Sequence, residues 1–166
     1  YTPEELSKAT WTPISGNEYG HLPMPMATAA SAAETSGTVD LSLFTNINKN
    51  FYVAFQYNAE GRDAIPESNG NNKYTNRPRV DITNLKMQKT TTDGQVIDIT
   101  DAIKEWAFRP IYQQSSTMTN YQVSDNSLLF QPQKATLNAE GKEPNEVVWM
   151  VSQNINPRSV EPDRGT

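Results

Sequence analysis

Few residues in this chain could carry catalysis, and their types limit the chemistry. The sequence has no cysteine and one histidine, His21, so thiol nucleophiles, disulfides, zinc–thiolate sites and histidine-based triads lack their parts. His21 has no second histidine to pair with, which favours a structural role. The nucleophile-elbow, P-loop and glycine-rich dinucleotide motifs are also missing from the sequence. We therefore expect a protein that is not an enzyme.

Carboxylates are the only abundant titratable groups, with 19 Asp and Glu. Glycoside hydrolases use two carboxyl groups about 5 to 10 Å apart. Asp98 with Asp101, or any two of Glu140, Glu143 and Glu146, could supply such a pair. With so many acids such pairings arise freely, so a solvated acidic surface is the simpler interpretation.

No cofactor is expected, but a structural calcium ion stays an alternative because Ca²⁺ needs only carboxylate and carbonyl oxygens brought together by loops. The candidate ligands are Asp93, Asp125 and Asp163. No DxDxDG spacing is present, so the pattern does not locate a calcium site.

Two long segments without hydrophobic periodicity, Asn58–Pro78 and Gln113–Asn126, are the candidates for recognition loops. Loops of this length in a compact domain are usually functional or mobile. Because loops hold most recognition residues, we expect a ligand site where these two meet, at one end or face of the fold.

Side chains in or beside these loops have the chemistry of carbohydrate recognition. A tyrosine ring can stack on the C–H face of a sugar, and an arginine fork can bind hydroxyls or a uronate carboxylate through two hydrogen bonds. The predicted ligand-binding residues are Tyr74, Arg77, Tyr112 and Tyr121. The alternative is that the tyrosines cover the edges of the fold and that Arg77 pairs with a nearby carboxylate.

Composition restricts the partners. The chain of 166 residues has a formal net charge of −5 and a pI near 4.9, which argues against nucleic acid and anionic membrane surfaces. No apolar stretch is long enough to span a bilayer. Tyr1 is not preceded by Met, which suggests a fragment or a processed chain.

The elements that must position these residues are mainly strands. Thr2, Pro3 and Glu5 have the spacing of a capping box with proline in the first turn, which predicts a short helix ending near Thr10. Period-two alternation predicts strands at Val39–Leu43 and Phe51–Tyr57. Further strands are predicted at 79–89, with a bulge or break at Thr83–Asn84, and at 95–99, 106–112, 127–131 and 146–152. A capped helical turn is predicted at 100–105.

These short alternating strands predict a single all-β domain over 1–166, an antiparallel β-sandwich with a short N-terminal helix. In two of these strands every second residue is apolar, which predicts that one face of each strand is buried. That set comprises Phe51, Val53 and Phe55 on the first strand, and Val147, Trp149 and Val151 on the second. Trp106 is also expected in the core.

Six stretches together carry a family resemblance: ATWTPIS (9–15), SGTVDLS (36–42), FYVAFQY (51–57), NRPRVDITNL (76–85), VWMVS (148–152) and VEPDRGT (160–166). The chain resembles a family of functionally uncharacterised surface lipoproteins from gut Bacteroidetes. The YVAF and ITNL strands are similar to those of galactose-binding-like jelly rolls found in cleaved adhesins. The resemblance implies a jelly-roll sandwich that is exported to the outer-membrane surface. It also implies a lipidated cysteine and an N-terminal segment upstream of Tyr1, so that the membrane is reached only through the lipid anchor.

Three functions follow as hypotheses. The first is a non-catalytic cell-surface module that binds polysaccharide or oligosaccharide beside other glycan-uptake proteins. The second is a structural or adhesin-like domain that contacts other proteins. The third is a glycoside hydrolase or an accessory domain of one.

Overall fold

The computed structural model describes residues 2–14, 38–59, 65–66, 68, 72–73, 79–114, 121–131 and 145–158. Antiparallel strands dominate these residues. The helical elements are α1 (Pro3–Lys8), η1 (Leu41–Leu43, a 3₁₀ turn) and α2 (Ile103–Trp106). The strands are β1 (Ala54–Ala59), β2 (Ile65–Pro66), β3 (Asn72–Lys73), β4 (Val80–Thr83), β5 (Met87–Thr90), β6 (Val96–Thr100), β7 (Arg109–Gln114), β8 (Tyr121–Val123), β9 (Ser127–Phe130) and β10 (Glu146–Val151). Among the described residues, no helix is both long and apolar enough to cross a membrane.

Two three-stranded antiparallel sheets form the body of the described fold. The first sheet has the strand order β1–β10–β7 and the second sheet has the order β4–β9–β8. β5 and β6 form a hairpin, and β2 pairs with β3. The central strand β10 contains the apolar run Val147–Val151, which is typical of a strand covered on both faces.

The main core lies between the two sheets. The first sheet contributes Tyr57, Val148 and Met150, and the second sheet contributes Leu128 and Phe130. Val148, Met150 and Leu128 are completely inaccessible to solvent. The ring of Tyr57 stacks on Phe130 with 5.8 Å between the ring centroids. The prediction of a mainly antiparallel β-fold is therefore confirmed for the described residues.

The N-terminal helix forms as predicted, with a complete capping box. The Glu5 amide donates to Thr2 Oγ1 at 3.2 Å, and the Thr2 amide donates to Glu5 Oε2 at 2.7 Å. Pro3 occupies the first helical position, where its missing N–H leaves no bond unmade. The helix ends at Lys8, slightly earlier than expected.

The predicted strand at Val39–Leu43 is wrong. Asp40 caps the 3₁₀ turn η1 instead, because its carboxylate accepts hydrogen bonds from the Ser42 amide at 3.0 Å and the Ser42 hydroxyl at 2.6 Å. Such local bonds offer the backbone an alternative to a sheet ladder. The side chain of Leu43 is consequently 70% exposed.

The predicted buried faces need correction. Within β10 the fully buried residues are Glu146, Val148 and Met150, whereas Val147 and Trp149 are half-buried on the opposite face. Val151 is buried as expected, but against α1 rather than in the main core. Three residues on the β1 side, Phe51, Val53 and Phe55, do pack on the main core but are only partly covered.

Other elements differ at their ends. Trp106 is buried as expected, but it closes α2, and β7 begins at Arg109. Pro110 lies inside β7, which tolerates it because β7 is an edge strand. The strands β2, β3 and β8 fall within segments that the sequence analysis treated as loops.

The break predicted at Thr83–Asn84 is confirmed. β4 ends at Thr83, and Asn84 has a φ of 54°, in the left-handed region. Substituting Asn84→Val should lower the free energy of unfolding by about 1–2 kcal/mol, because a β-branched residue is strained there. Asn84→Gly should be nearly neutral. Urea unfolding measures both variants, and equal midpoints for the two would contradict this explanation of the break.

Candidate functional site

The four predicted ligand residues divide into two groups. Tyr74 and Arg77 lie outside the described residues. Tyr112 lies on β7 and is half-buried, whereas Tyr121 begins β8 and is only 3% exposed. Tyr121 is therefore enclosed in the core, and a sugar could stack on its ring only if the core opened.

Tyr112 and Tyr121 are brought together, but they pack on each other. Their ring centroids are 6.0 Å apart in an edge-to-face arrangement. Tyr121 also meets Tyr57 and Phe130 edge-to-face, at 6.0 Å and 6.2 Å. Such geometry is favourable for aromatic pairs. This aromatic cluster closes one end of the main core.

Glu146 is a buried polar residue that the sequence analysis assigned to the surface. Its side chain is completely inaccessible to solvent, and its Oε2 accepts a hydrogen bond of 2.5 Å from the Tyr121 hydroxyl. A buried carboxyl group is costly unless it is hydrogen-bonded. Parity could have revealed this position, since Glu146 falls on the same strand face as Val148 and Met150.

The strand ends next to the aromatic cluster lead into the predicted recognition loops. β1 ends at Ala59 opposite Glu146, and β7 ends at Gln114 opposite Val147. β8 begins at Tyr121, which pairs with the last residue of β9. Both predicted loops therefore leave their strands at the same end of the first sheet. Most residues of Asn58–Pro78, and residues 115–120 of the second loop, lie outside the described part of the chain.

Burial raises the pKa of the Tyr112 phenol above its ordinary value of 10.0. Below that value both the folded and the unfolded chain hold the proton, so Tyr112 adds no pH dependence. Above it the unfolded chain releases the proton first, and the free energy of unfolding falls as the pH rises through the folded pKa. Between about pH 9 and about pH 11, we expect the urea midpoint of the parent chain to fall further than the urea midpoint of Tyr112→Phe. An identical drop in both would contradict this role of burial.

A second group of aromatic residues lies on the other side of the first sheet. Part of that outer face is covered by α1, whose Leu6 packs with Ile111 and Val151 in a small second core. Leu6 is 2% exposed. Trp11, which follows α1, and Trp149 of β10 pack at the border of this covered region.

Trp11 and Trp149 form the tryptophan pair. Their ring centroids are 5.3 Å apart and their planes are inclined by 38°. The Trp11 indole N–H donates to the Leu6 carbonyl at 3.3 Å, and the Trp149 indole N–H donates to Gln113 Oε1 at 2.8 Å. These bonds fix the ring edges against the protein. Both tryptophans keep part of their surface in solvent.

Three exposed amide side chains adjoin the tryptophan pair in the sheet. Gln56 is the register partner of Trp149, and Asn58 is the partner of the neighbouring Val147. Gln113 falls at an irregularity in the β7–β10 ladder and reaches Trp149 through its side chain. Bulges of this kind often redirect a side chain. We call Gln56, Asn58 and Gln113 the three amides.

The tryptophan pair was not predicted as a site from the sequence. Trp149 was expected in the core from its alternation, and Trp11 was noted only within the ATWTPIS stretch of the family resemblance. The sequence did contain one indication of this site. The side chains of β10 are apolar on both faces of the strand, so both faces need to be covered. The partner that provides this cover, α1 with Trp11, is distant in sequence.

Three of the described acidic candidates, Asp93, Asp98 and Asp101, have side-chain partners within the protein. Asp98 accepts from Gln88 at 2.8 Å, and Asp101 forms an ion pair of 3.0 Å with Lys86. Asp93 accepts from the Thr91 hydroxyl in the turn between β5 and β6, where Gly94 has a φ of 85°. Asp163, Glu140 and Glu143 lie outside the described residues. Within the described ranges, no three His, Cys, Asp or Glu are grouped so that they could hold a metal ion.

The described residues thus define a mainly antiparallel β-protein with a tryptophan pair on one sheet. The family described as a domain of unknown function, DUF5017, matches residues 1–108, and the chain belongs to this family. The matched region includes Trp11 and ends just before β7, so Gln113 and Trp149 lie beyond it. Neither a curated protein nor a solved structure matches the chain.

Proposed function

We propose that this protein is a non-catalytic glycan-binding module, and that the tryptophan pair is its sugar platform. The main support for this proposal is the contact between two partly exposed indole rings, whose centroids are 5.3 Å apart and which lie beside exposed amide side chains. Indole faces bind the C–H face of a sugar ring, and amides supply both donors and acceptors for its hydroxyls.

The platform is supported rigidly enough for recognition. Trp149 is on the central strand of the first sheet, and both of its register partners are set by β-ladders. Its indole N–H is held by Gln113. Sites on strands are more precise than sites on loops, because less conformational freedom is lost when the ligand binds.

The tryptophan pair is a better-supported platform than the loop tyrosines. Tyr121 is enclosed in the core, whereas Trp11 and Trp149 both reach solvent. Tyr74 and Arg77 stay predictions for a further contact at the loop end of the fold. The finer fold assignment, a galactose-binding-like jelly roll, is part of this proposal and is supported by two sheets packed around one core.

The cellular setting is proposed from the family resemblance described above. The protein would be exported, held at the outer-membrane surface by a lipid anchor upstream of Tyr1, and used beside glycan-uptake proteins. An acidic chain with a net charge of −5 can bind neutral sugars there without a repulsive penalty.

A protein-contact role is the second candidate. It is favoured by exposed apolar side chains near η1, where Leu43 is 70% exposed and Ile47 is 58% exposed. Exposed apolar patches of sufficient size mark interaction sites.

Retention of the purified chain on immobilised polysaccharides tests the proposed function. The panel should contain plant and host polysaccharides of both neutral and acidic composition, with bovine serum albumin as the non-binding reference. We expect retardation on at least one polysaccharide. Passage through every matrix at the speed of the reference would contradict glycan binding and favour the protein-contact role.

A further inference from the structure

We infer that the tryptophan pair selects neutral sugars, one ring at a time, and discriminates against uronates and sulfated sugars. This inference rests on the proposed function and narrows it to a ligand class. It differs from the uronate binding suggested by Arg77, which would need a cation at the site.

The polar neighbours of the tryptophan pair favour an uncharged ligand. The three amides are uncharged, and each carries a carbonyl acceptor and an NH₂ donor. The carbonyl oxygen of Gln113 accepts from the Trp149 indole N–H, and its NH₂ group is the donor that it can offer to a sugar oxygen. Hydroxyl groups, which both donate and accept, match such a surface completely.

A charged ligand group would be destabilised at the tryptophan pair. A carboxylate that leaves water for an indole surface loses hydration, and a nearby cation or several converging hydrogen-bond donors must offset that loss. Arg109 is exposed on the same sheet but lies four residues along β7 from Gln113, about 13 Å away. α1 carries exposed Lys8 together with exposed Glu4 and Glu5. A net charge of −5 further disfavours the approach of a polyanion.

The size of the aromatic surface limits how many sugar rings it can hold. Two rings at 5.3 Å are in direct contact with each other, so they form one continuous apolar surface. Platforms for extended chains instead need aromatic rings that are separated along the sheet. The pair therefore suits a single sugar ring, such as a chain end or a side branch.

Polygalacturonate and its carboxyl-reduced product are the matched probes, because reduction removes the charge and keeps the linkage. A neutral polysaccharide retained in the panel above is the third probe. Affinity electrophoresis should show retention by the neutral probe and no retention by polygalacturonate that depends on Trp149. Retention by the neutral probe should also be less sensitive to salt than an ionic contact would be. The dissociation constant for the neutral probe should change by less than about twofold between low and high salt.

Substitutions show whether retention depends on the tryptophan pair. Trp149→Ala should abolish retention by the neutral probe. Leu129→Ala should not affect it, because Leu129 is half-buried on the central strand of the second sheet. Retention by polygalacturonate that is lost in Trp149→Ala, or in Lys8→Ala or Arg109→Ala, would overturn the inference and leave glycan binding intact. Absence of retention by any probe would overturn the inference together with the proposed function.

Oligosaccharides of increasing length cut from the retained neutral polysaccharide test the one-ring statement. Titration calorimetry should show affinity that rises by less than about threefold beyond the shortest fragment that binds. A rise of about tenfold or more for each added pair of sugars would show an extended groove and overturn this part of the inference.

Discussion

Trp149→Ala is expected to weaken glycan binding by at least about 30-fold, which corresponds to about 2 kcal/mol. The substitution removes one of the two ring faces and also releases Gln113 from its hydrogen bond with the indole. Tryptophans at the centre of a binding surface commonly have effects of this size. Titration calorimetry with a retained neutral polysaccharide measures the change.

Stability must be separated from binding in this experiment. Trp149 is half-buried and packs on Trp11 and the α1 cover, so its truncation should also cost about 1–3 kcal/mol of folding stability. Trp149→Phe keeps an aromatic face and should recover part of the affinity. Leu129→Ala provides the control for truncation at a matched position. Unchanged affinity in a folded Trp149→Ala would place the sugar elsewhere.

Glu146→Ala is expected to lower the free energy of unfolding by about 3–5 kcal/mol. Glu146 is completely buried, and its truncation leaves a cavity and removes the acceptor of the Tyr121 hydroxyl. Tyr121→Phe removes only the hydroxyl and should cost about 1–3 kcal/mol. Urea unfolding followed by circular dichroism gives both values.

The hydroxyl group of Tyr112 provides the control for the hydrogen bond between Tyr121 and Glu146. The Tyr112 hydroxyl makes a long bond of 3.5 Å to the Tyr121 carbonyl on a half-buried side chain, so Tyr112→Phe should cost less than about 1 kcal/mol. The double variant Tyr121→Phe with Glu146→Ala should be less destabilised than the sum of the two single effects, because both remove the same bond. Full additivity would show that this hydrogen bond does not stabilise the fold.

The elements with strong local signals were predicted well from the sequence. The capping box of α1 and the break after Thr83 depend on a few adjacent residues, and both are present as predicted. The alternation at Val39–Leu43 gave a wrong result because Asp40 makes local hydrogen bonds that alternation does not reveal. Local capping can thus override a short period-two pattern.

The candidate site was harder to predict because it depends on which face of β10 is covered. The apolar run of that strand places apolar side chains on both of its faces, so alternation alone could not assign Trp149 to the outer face. Its partner Trp11 reaches it only because Leu6 anchors α1 on the same face. A contact between segments so distant in sequence leaves no local pattern.

The three tryptophans of the chain allow a direct measurement of where the sugar binds. A ¹⁵N-labelled sample gives one indole N–H signal for each, and single Trp→Phe variants assign them. Trp106 serves as the internal reference, since it is 3% exposed and its indole N–H donates to the Leu85 carbonyl at 3.2 Å. On titration with a retained neutral oligosaccharide, we expect the Trp11 and Trp149 signals to shift and the Trp106 signal to stay in place. Binding that leaves the Trp11 and Trp149 signals unmoved would contradict a sugar site at the tryptophan pair.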